Sequence, residues 1–216
     1  MEFSRLSGRI YSKQAILSDH LNLALLCQQS YQITDKDPRY HCIAGVVFMV
    51  VQNTIVFRGS ATESDWLKDF EAFPISDSLL GKIERGFSQG MKEVFLWLSK
   101  NGPHNPIITG HSLGGAHAVI LAGYYKAMHI PFSELVTFGC PRPGYAELRN
   151  LLKGSDMTAY RNGADIVPTE PPAFLWWLYR SYTDWTRIGT GDDEIMDHLI
   201  ANYITVMRQS GAQSSA

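Results

Sequence analysis

Apolar residues recur near helical spacing over residues 14–31, where Ile16, Leu17, Leu21, Leu25 and Leu26 share a side, and this predicts an amphipathic helix covering one face of a sheet. The period then changes. Ile43 to Val51 and Thr54 to Phe57 are rich in Val, Ile and Phe and are joined by Gln52-Asn53, which predicts a β-hairpin. A second long helix is predicted over 86–100, closed by the stop signal Asn101-Gly102-Pro103. Then follow an apolar strand at Pro106-Ile107-Ile108-Thr109, a helix-forming run from Ala116 to Ala127, and a strand from Leu135 to Gly139 with a turn at Cys140-Pro141-Arg142-Pro143-Gly144. Met157 to Arg161 and Tyr182 to Ile188 read as two more strands, and Asp192 or Asp193 caps a final helix reaching about Met207. Alternation of strand and helix predicts an α/β architecture: a mostly parallel central sheet flanked by helices, with the site on strand-terminal loops. No repeat or linker divides the chain, so one domain over residues 1–216 is expected, with a frayed tail from about 210.

Composition narrows the function classes. With 216 residues, 45% apolar and 12% aromatic, the chain has material for one sizeable core. A formal charge of −2 without runs of like charge gives no electrostatic footprint for nucleic acid and no polybasic patch for anionic lipid. Cys27, Cys42 and Cys140 form neither a close metal-ligand pair nor an even disulfide set, although a Cys27–Cys42 bridge is conceivable. No metal or cofactor is expected. No signal peptide is visible in the first residues and no segment is long and apolar enough to span a bilayer, so a cytoplasmic protein is expected unless a leader was removed. The sequence is silent on oligomeric state.

Between the strand at 106–109 and the helix at 116–127 lies Gly110-His111-Ser112-Leu113-Gly114-Gly115. A serine on a sharp strand-to-helix turn sits in a strained backbone conformation, and residues two positions either side must lack bulk; Gly110 and Gly114 meet that need. The motif reads as a nucleophile elbow. A serine hydroxyl is a poor nucleophile until an imidazole takes its proton and a carboxylate orients that imidazole. On such an elbow the partners follow in the order acid, then histidine, each beyond a later strand. His198 is the base that this order selects. Among the intervening acids Asp165 follows directly on a predicted strand beside Gly163, whereas Asp156 precedes its strand and Asp197 is too constrained by its adjacency to His198. The backbone N–H of Leu113 supplies one oxyanion donor, and the loop Arg58-Gly59-Ser60 after an early strand supplies the other, through Ser60.

These residues resemble the class 3 lipases, members of the α/β-hydrolase fold. The resemblance runs through Val56-Phe57-Arg58-Gly59-Ser60, Asp65-Trp66-Leu67-Lys68-Asp69, Arg85-Gly86-Phe87, the segment Ile108 to Ala116 that holds the elbow, Thr137 to Gly144, Arg161 to Pro168, and Asp197-His198. It implies hydrolysis of lipid or other carboxylic esters with Ser112, Asp165 and His198 as the triad and Ser60 with Leu113 in the oxyanion hole. Acylglycerols at an oil–water interface are the implied substrate; a non-lipase esterase, a phospholipase of the same fold and a catalytically silent binding domain are the alternatives. Glu84 departs from the resemblance, since many relatives carry histidine before Arg-Gly-Phe, and the short chain implies a reduced lid.

Other conspicuous residues divide between packing and binding. His111 and His117 flank the nucleophile and read as packing residues. Trp66, Phe70 and Phe73 share a helical face, suited either to the core or to a lid. The run Phe174 to Tyr179, with Trp176 and Trp177, is dense enough in large apolar groups to wall an acyl pocket or touch a lipid surface. Trp66, Phe70, Trp176 and Trp177 are therefore candidate substrate contacts. Asp192-Asp193-Glu194 reads as the first turn of a helix, where its dipole favours acids, and not as a metal site.

Overall fold

The computed structural model describes residues 3–6, 9–60, 73–171 and 179–213. β1 (Phe3–Leu6) and β2 (Arg9–Ser12) form an antiparallel pair that leads into α1 (Lys13–Ser30). β3 (Tyr40–Ile43), β4 (Val46–Val51) and β5 (Thr54–Phe57) form an antiparallel meander. The apolar run predicted to begin at Ile43 is therefore split. Ala44 and Gly45 both take positive φ, at 49° and 85°, and turn the chain so that Ile43 closes an additional strand, β3.

β6 (Pro74–Asp77) and β7 (Gly81–Glu84) make a second small hairpin before α2 (Arg85–Ser88) and α3 (Met91–Asn101). Here too the sequence predicts one element where there are two. Gly90 at φ 74° breaks the helix expected over 86–100. β8 (Ile107–His111), α4 (Leu113–Ala127), β9 (Glu134–Phe138), α5 (Ala146–Leu152), β10 (Met157–Asn162), β11 (Trp185–Ile188) and α6 (Ile200–Gln213) complete the order. The last strand is shorter than the predicted 182–188 run. The final helix starts at Ile200 rather than at the acidic cluster and runs to Gln213; Asp193 instead accepts from the backbone N–H groups of Ile195 and Met196 in the turns before it.

Seven strands form the central sheet in the order β11-β10-β9-β8-β5-β4-β3, with β5, β8, β9, β10 and β11 mutually parallel. The α/β-hydrolase arrangement expected from the sequence is what the topology shows. α1 and α6 pack together on one face, burying Leu23, Met49, Val56, Val136, Phe138 and Tyr203. α2 to α5 cover the other face over Phe48, Phe57, Ile108 and Leu135. β8 occupies the centre, so both of its faces are covered: Ile108, Thr109 and His111 have no exposed surface and Gly110 is buried. The three cysteines are free, which removes the conceivable Cys27–Cys42 bridge: Cys27 is buried against the Thr109 hydroxyl while Cys42 is exposed on β3.

The elbow closes at the end of this central strand. Ser112 takes φ 58° and ψ −129° between β8 and α4, a conformation costly for any residue with a side chain. A Cβ on Gly110 would meet the carbonyl of Gly114, and one on Gly114 would meet the carbonyl of Phe57 at the end of β5. The two glycines thus let strand, helix and neighbouring strand approach at one point. Gly110→Ala is expected to cost about 1–3 kcal/mol of stability by overpacking, read as a lowered midpoint in urea unfolding.

Candidate active site

Three chain segments that are distant in sequence meet above the C-terminal ends of β8, β9 and β10. His198 Nε2 lies 2.9 Å from Ser112 Oγ, and His198 Nδ1 lies 3.0 Å from both carboxylate oxygens of Asp165. A carboxylate can only accept, so Nδ1 carries the proton and Nε2 is left as the acceptor for the serine hydroxyl. That tautomer is the one able to remove a proton from Ser112. All three side chains are buried, with Ser112 and Asp165 at 0% exposure and His198 at 2%. In so dry a place their electrostatic interactions are stronger than in water.

Asp165 is held from several sides. It follows β10 in the turn Asn162-Gly163-Ala164, and its own N–H donates to the Asn162 carbonyl. Its Oδ1 accepts from the Val167 N–H at 2.9 Å, its Oδ2 accepts from the Tyr203 hydroxyl at 2.5 Å, and its carbonyl accepts from Arg161 Nε at 2.9 Å. Tyr203 lies on α6 and also accepts from the Asn162 N–H. Burial, with the Asp165 charge beside it, pushes the Tyr203 phenol well above its ordinary value, so this hydroxyl stays protonated and remains a donor to the carboxylate.

His198 is anchored through its backbone as well as its ring. His111 Nε2 donates to the His198 carbonyl at 2.7 Å, and the rings of His111 and His198 lie 4.7 Å apart at 30°. Burial first, and then the neighbouring His198, hold His111 well below the ordinary imidazole range. A neutral His111 that donates from Nε2 must accept at Nδ1, and the Tyr31 hydroxyl is 2.7 Å away to donate. His111 is a packing residue, as expected, but it also fixes the segment that carries His198. Asp197 does related work next door. Its Oδ2 accepts from the Ala164 N–H at 2.9 Å, and its carbonyl accepts from Asn162 Nδ2 at 3.0 Å, tying the aspartate turn to the histidine segment.

The two oxyanion candidates come from the residue after the serine and from a loop packed against the elbow. Leu113 is the first residue of α4, directly after Ser112, and Ser60 follows β5 in the loop that begins at Arg58. That loop touches the elbow: a Cβ on Gly59 would come within 2.9 Å of the His111 carbonyl, and one on Gly114 within 2.9 Å of the Arg58 carbonyl carbon. Trp66, Phe70, Trp176 and Trp177 lie outside the described residues, as does the segment 61–72 that the sequence connects with a lid. Phe73, at the border of that segment, is 56% exposed. Glu84, the point of departure from the family pattern, caps α2 by accepting from the Phe87 N–H at 2.7 Å; burial pushes its carboxyl up. Among the described residues no group of His, Cys, Asp and Glu could hold a metal ion, and Asp192 to Glu194 form none.

The profile of the lipases of class 3 matches residues 54–175, a span that holds Ser112 and Asp165. The chain belongs to the class 3 lipase family. Relatives include a secreted mono- and diacylglycerol lipase of Fusarium solani, 30% identical over 149 residues, covering 63% of this chain and 44% of the relative. A lipase of Rhizomucor miehei is 32% identical over 147 residues, covering 61% of this chain and 40% of the relative. This class 3 lipase chain thus spans less than half the length of these two curated relatives. The solved structure of Rhizomucor miehei triacylglyceride lipase superposes with a TM-score of 0.60 at 23% identity, covering 85% of this chain and 83% of that one, a likeness of fold.

Tyr203, Tyr31 and Asn162 are site residues that sequence reasoning missed. The Asn-Gly pair at 162–163 marks a turn, and nothing in the sequence says that its amide reaches the segment before His198.

The buried histidines give a pH dependence of folding. His117 is 7% exposed, its Nδ1 has no hydrogen-bond partner, and burial pulls its value down to about 4, from an ordinary 6.5. Because its folded value lies below the unfolded one, protons bind the unfolded chain first, and stability present above about pH 6.5 is lost as pH falls toward 4. For His117 alone the loss is on the order of 3 kcal/mol, at about 1.4 kcal/mol per unit. Urea midpoints measured between pH 7 and 4.5 are expected to fall, and His117→Leu is expected to flatten that slope.

Proposed function

We propose that this class 3 lipase hydrolyses carboxylic esters of lipids, acylglycerols foremost, through an acyl-enzyme on Ser112. The observation that carries the reading is the single imidazole of His198 bonded to Ser112 Oγ on one side and to the Asp165 carboxylate on the other. Ser112 Oγ attacks the acyl carbonyl while its proton passes to His198 Nε2. The carbonyl oxygen becomes an oxyanion held by the N–H groups of Leu113 and Ser60, each worth about 3 kcal/mol of barrier. His198 then gives the proton to the alkoxy oxygen of the alcohol as the ester C–O bond breaks. Water attacks the acyl-serine as its proton passes to His198, which then gives that proton to Ser112 Oγ as the acyl C–O bond breaks and the acid leaves. Asp165 stabilises the imidazolium that forms twice in this cycle, without itself taking the proton.

Acylglycerols are the favoured class because the two relatives above are named as lipases, one of them for mono- and diacylglycerols. The assembled site argues against a catalytically silent binding domain. Among the described residues no helix is long and apolar enough to cross a membrane.

Turnover of p-nitrophenyl esters over a series of acyl lengths tests the reading. Ser112→Ala is expected to lower kcat at least about 10³-fold, and equal turnover by the variant would overturn the assignment. Tyr203→Phe removes one donor from the Asp165 carboxylate while keeping the ring. It is expected to lower kcat about tenfold with KM unchanged, the loss of one hydrogen bond to a charged group.

A further inference from the structure

The open edge of the sheet carries a concentration of positive charge that ester chemistry does not use. β11 pairs with β10 so that Arg187 lies beside Arg161 and Trp185 beside Ala159, and the alternation of a strand puts these four on one face. The guanidinium of Arg161 sits 5.0 Å from the centre of the Trp185 ring, and those of Arg142 and Arg187 sit 5.9 Å from it. Arg142, Arg149, Arg180 and Arg187 line a cavity of about 310 Å³ together with Trp185.

The lining holds four guanidinium groups and one carboxylate, Asp184, which is largely exposed and already paired with Arg149 at 2.8 Å. Glu170 is the acid nearest in effect to Arg142, and Asp165 and Glu194 act on Arg161. Among the described residues no carboxylate comes within ion-pair distance of Arg142 or Arg187. Burial, then the like charges of Arg180 and Arg161, press the Arg142 guanidinium below its usual range against the pull of Glu170. The net charge of the chain is −2 and the sequence holds no basic run, so the expectation of no basic patch fails only where the fold gathers arginines that are separated in sequence.

Planar guanidinium forks match the oxygens of a phosphate, and the cavity is at the small end of ligand sites. Two observations select the source of that phosphate. Arg161 stacks on Trp185, which lines the cavity, and also donates to the Asp165 carbonyl, so one residue links the cavity wall to the ester site. A tryptophan among arginines is also the composition suited to lipid headgroup depth. A glycerophospholipid carries acyl esters and a phosphate in one molecule.

We propose that the cavity bounded by Arg142, Arg149, Arg180 and Arg187 binds the phosphate of an anionic glycerophospholipid and so directs the protein to acidic phospholipid surfaces. The binding stands on the cavity; its use in hydrolysis rests on the ester-hydrolase reading above. Sedimentation of the full chain with vesicles of phosphatidylglycerol or of phosphatidylcholine, in about 0.1 M salt, reads it directly. Wild type is expected to bind phosphatidylglycerol at least tenfold more tightly than phosphatidylcholine. Arg187→Glu is expected to abolish that preference and Arg187→Gln to reduce it, while Lys100→Glu, the same charge change on exposed α3, leaves it intact.

Equal loss in Lys100→Glu would reduce the effect to net charge and overturn the proposal, as would undiminished binding by a folded Arg187→Glu protein. If inorganic phosphate raises the melting temperature of wild type but not of Arg187→Glu, while both vesicle types bind alike, the cavity holds free phosphate and the lipid assignment falls. Turnover of p-nitrophenyl butyrate by wild type, measured in parallel, reports on the hydrolase reading separately. Its absence would remove that reading and leave the vesicle result standing.

Discussion

The imidazole of His198 has to face two ways at once, toward a hydroxyl it must be able to deprotonate and toward a carboxylate that holds its other nitrogen. Neither contact forms unless three loops end within one hydrogen bond of each other. Much of the structure around the site serves that requirement. The serine is fixed by the central strand and the strained turn after it, where two glycines admit close backbone contact. The aspartate is fixed by a turn at the end of β10 and by Tyr203 from α6, which packs on that side of the sheet. The histidine, which follows no strand directly, depends most on its neighbours: His111 holds its carbonyl, and Asp197 binds it to the aspartate turn. Most of these bonds are themselves buried, so each left unmade would leave a desolvated polar group without a partner, and the set is held together by that cost as much as by its own strength.

The layered architecture explains why such an arrangement is stable. β8 is covered on both faces and contributes a run of fully buried residues, so the strained Ser112 backbone is imposed by a rigid frame. α4, which begins at the elbow, is buried along most of its length and fixes the direction in which the chain leaves. The arginine-lined edge at β10 and β11 lies outside this frame yet shares Arg161 with it, which joins a surface property to the buried carboxylate.

The legible parts of the chain are those governed by local rules. The elbow could be read because strand, glycine spacing and helix are adjacent, and the order of acid and base then left few candidates. Asp165 and His198 stand out in the sequence because a carboxylate at a strand end and a histidine beyond it are positional signals. Element boundaries failed where one residue redirects the backbone, as at Ala44-Gly45 and at Gly90, since periodicity counts apolar residues and not dihedral angles. The start of the last helix failed because acids suited to a helix terminus also suit the isolated turns around Asp193. Tyr203, Tyr31 and Asn162 were not legible. Their role comes from long-range contacts, separated by 38, 80 and 35 residues from the groups they hold, and no local pattern encodes those.

Covalent labelling with a fluorophosphonate, followed by peptide mapping, tests the central arrangement most directly, because only an activated serine reacts quickly. One adduct is expected, on Ser112, with its rate of formation reduced by at least about 10³-fold in His198→Ala. Labelling of another serine, or equally fast labelling of Ser112 without the imidazole, would contradict it.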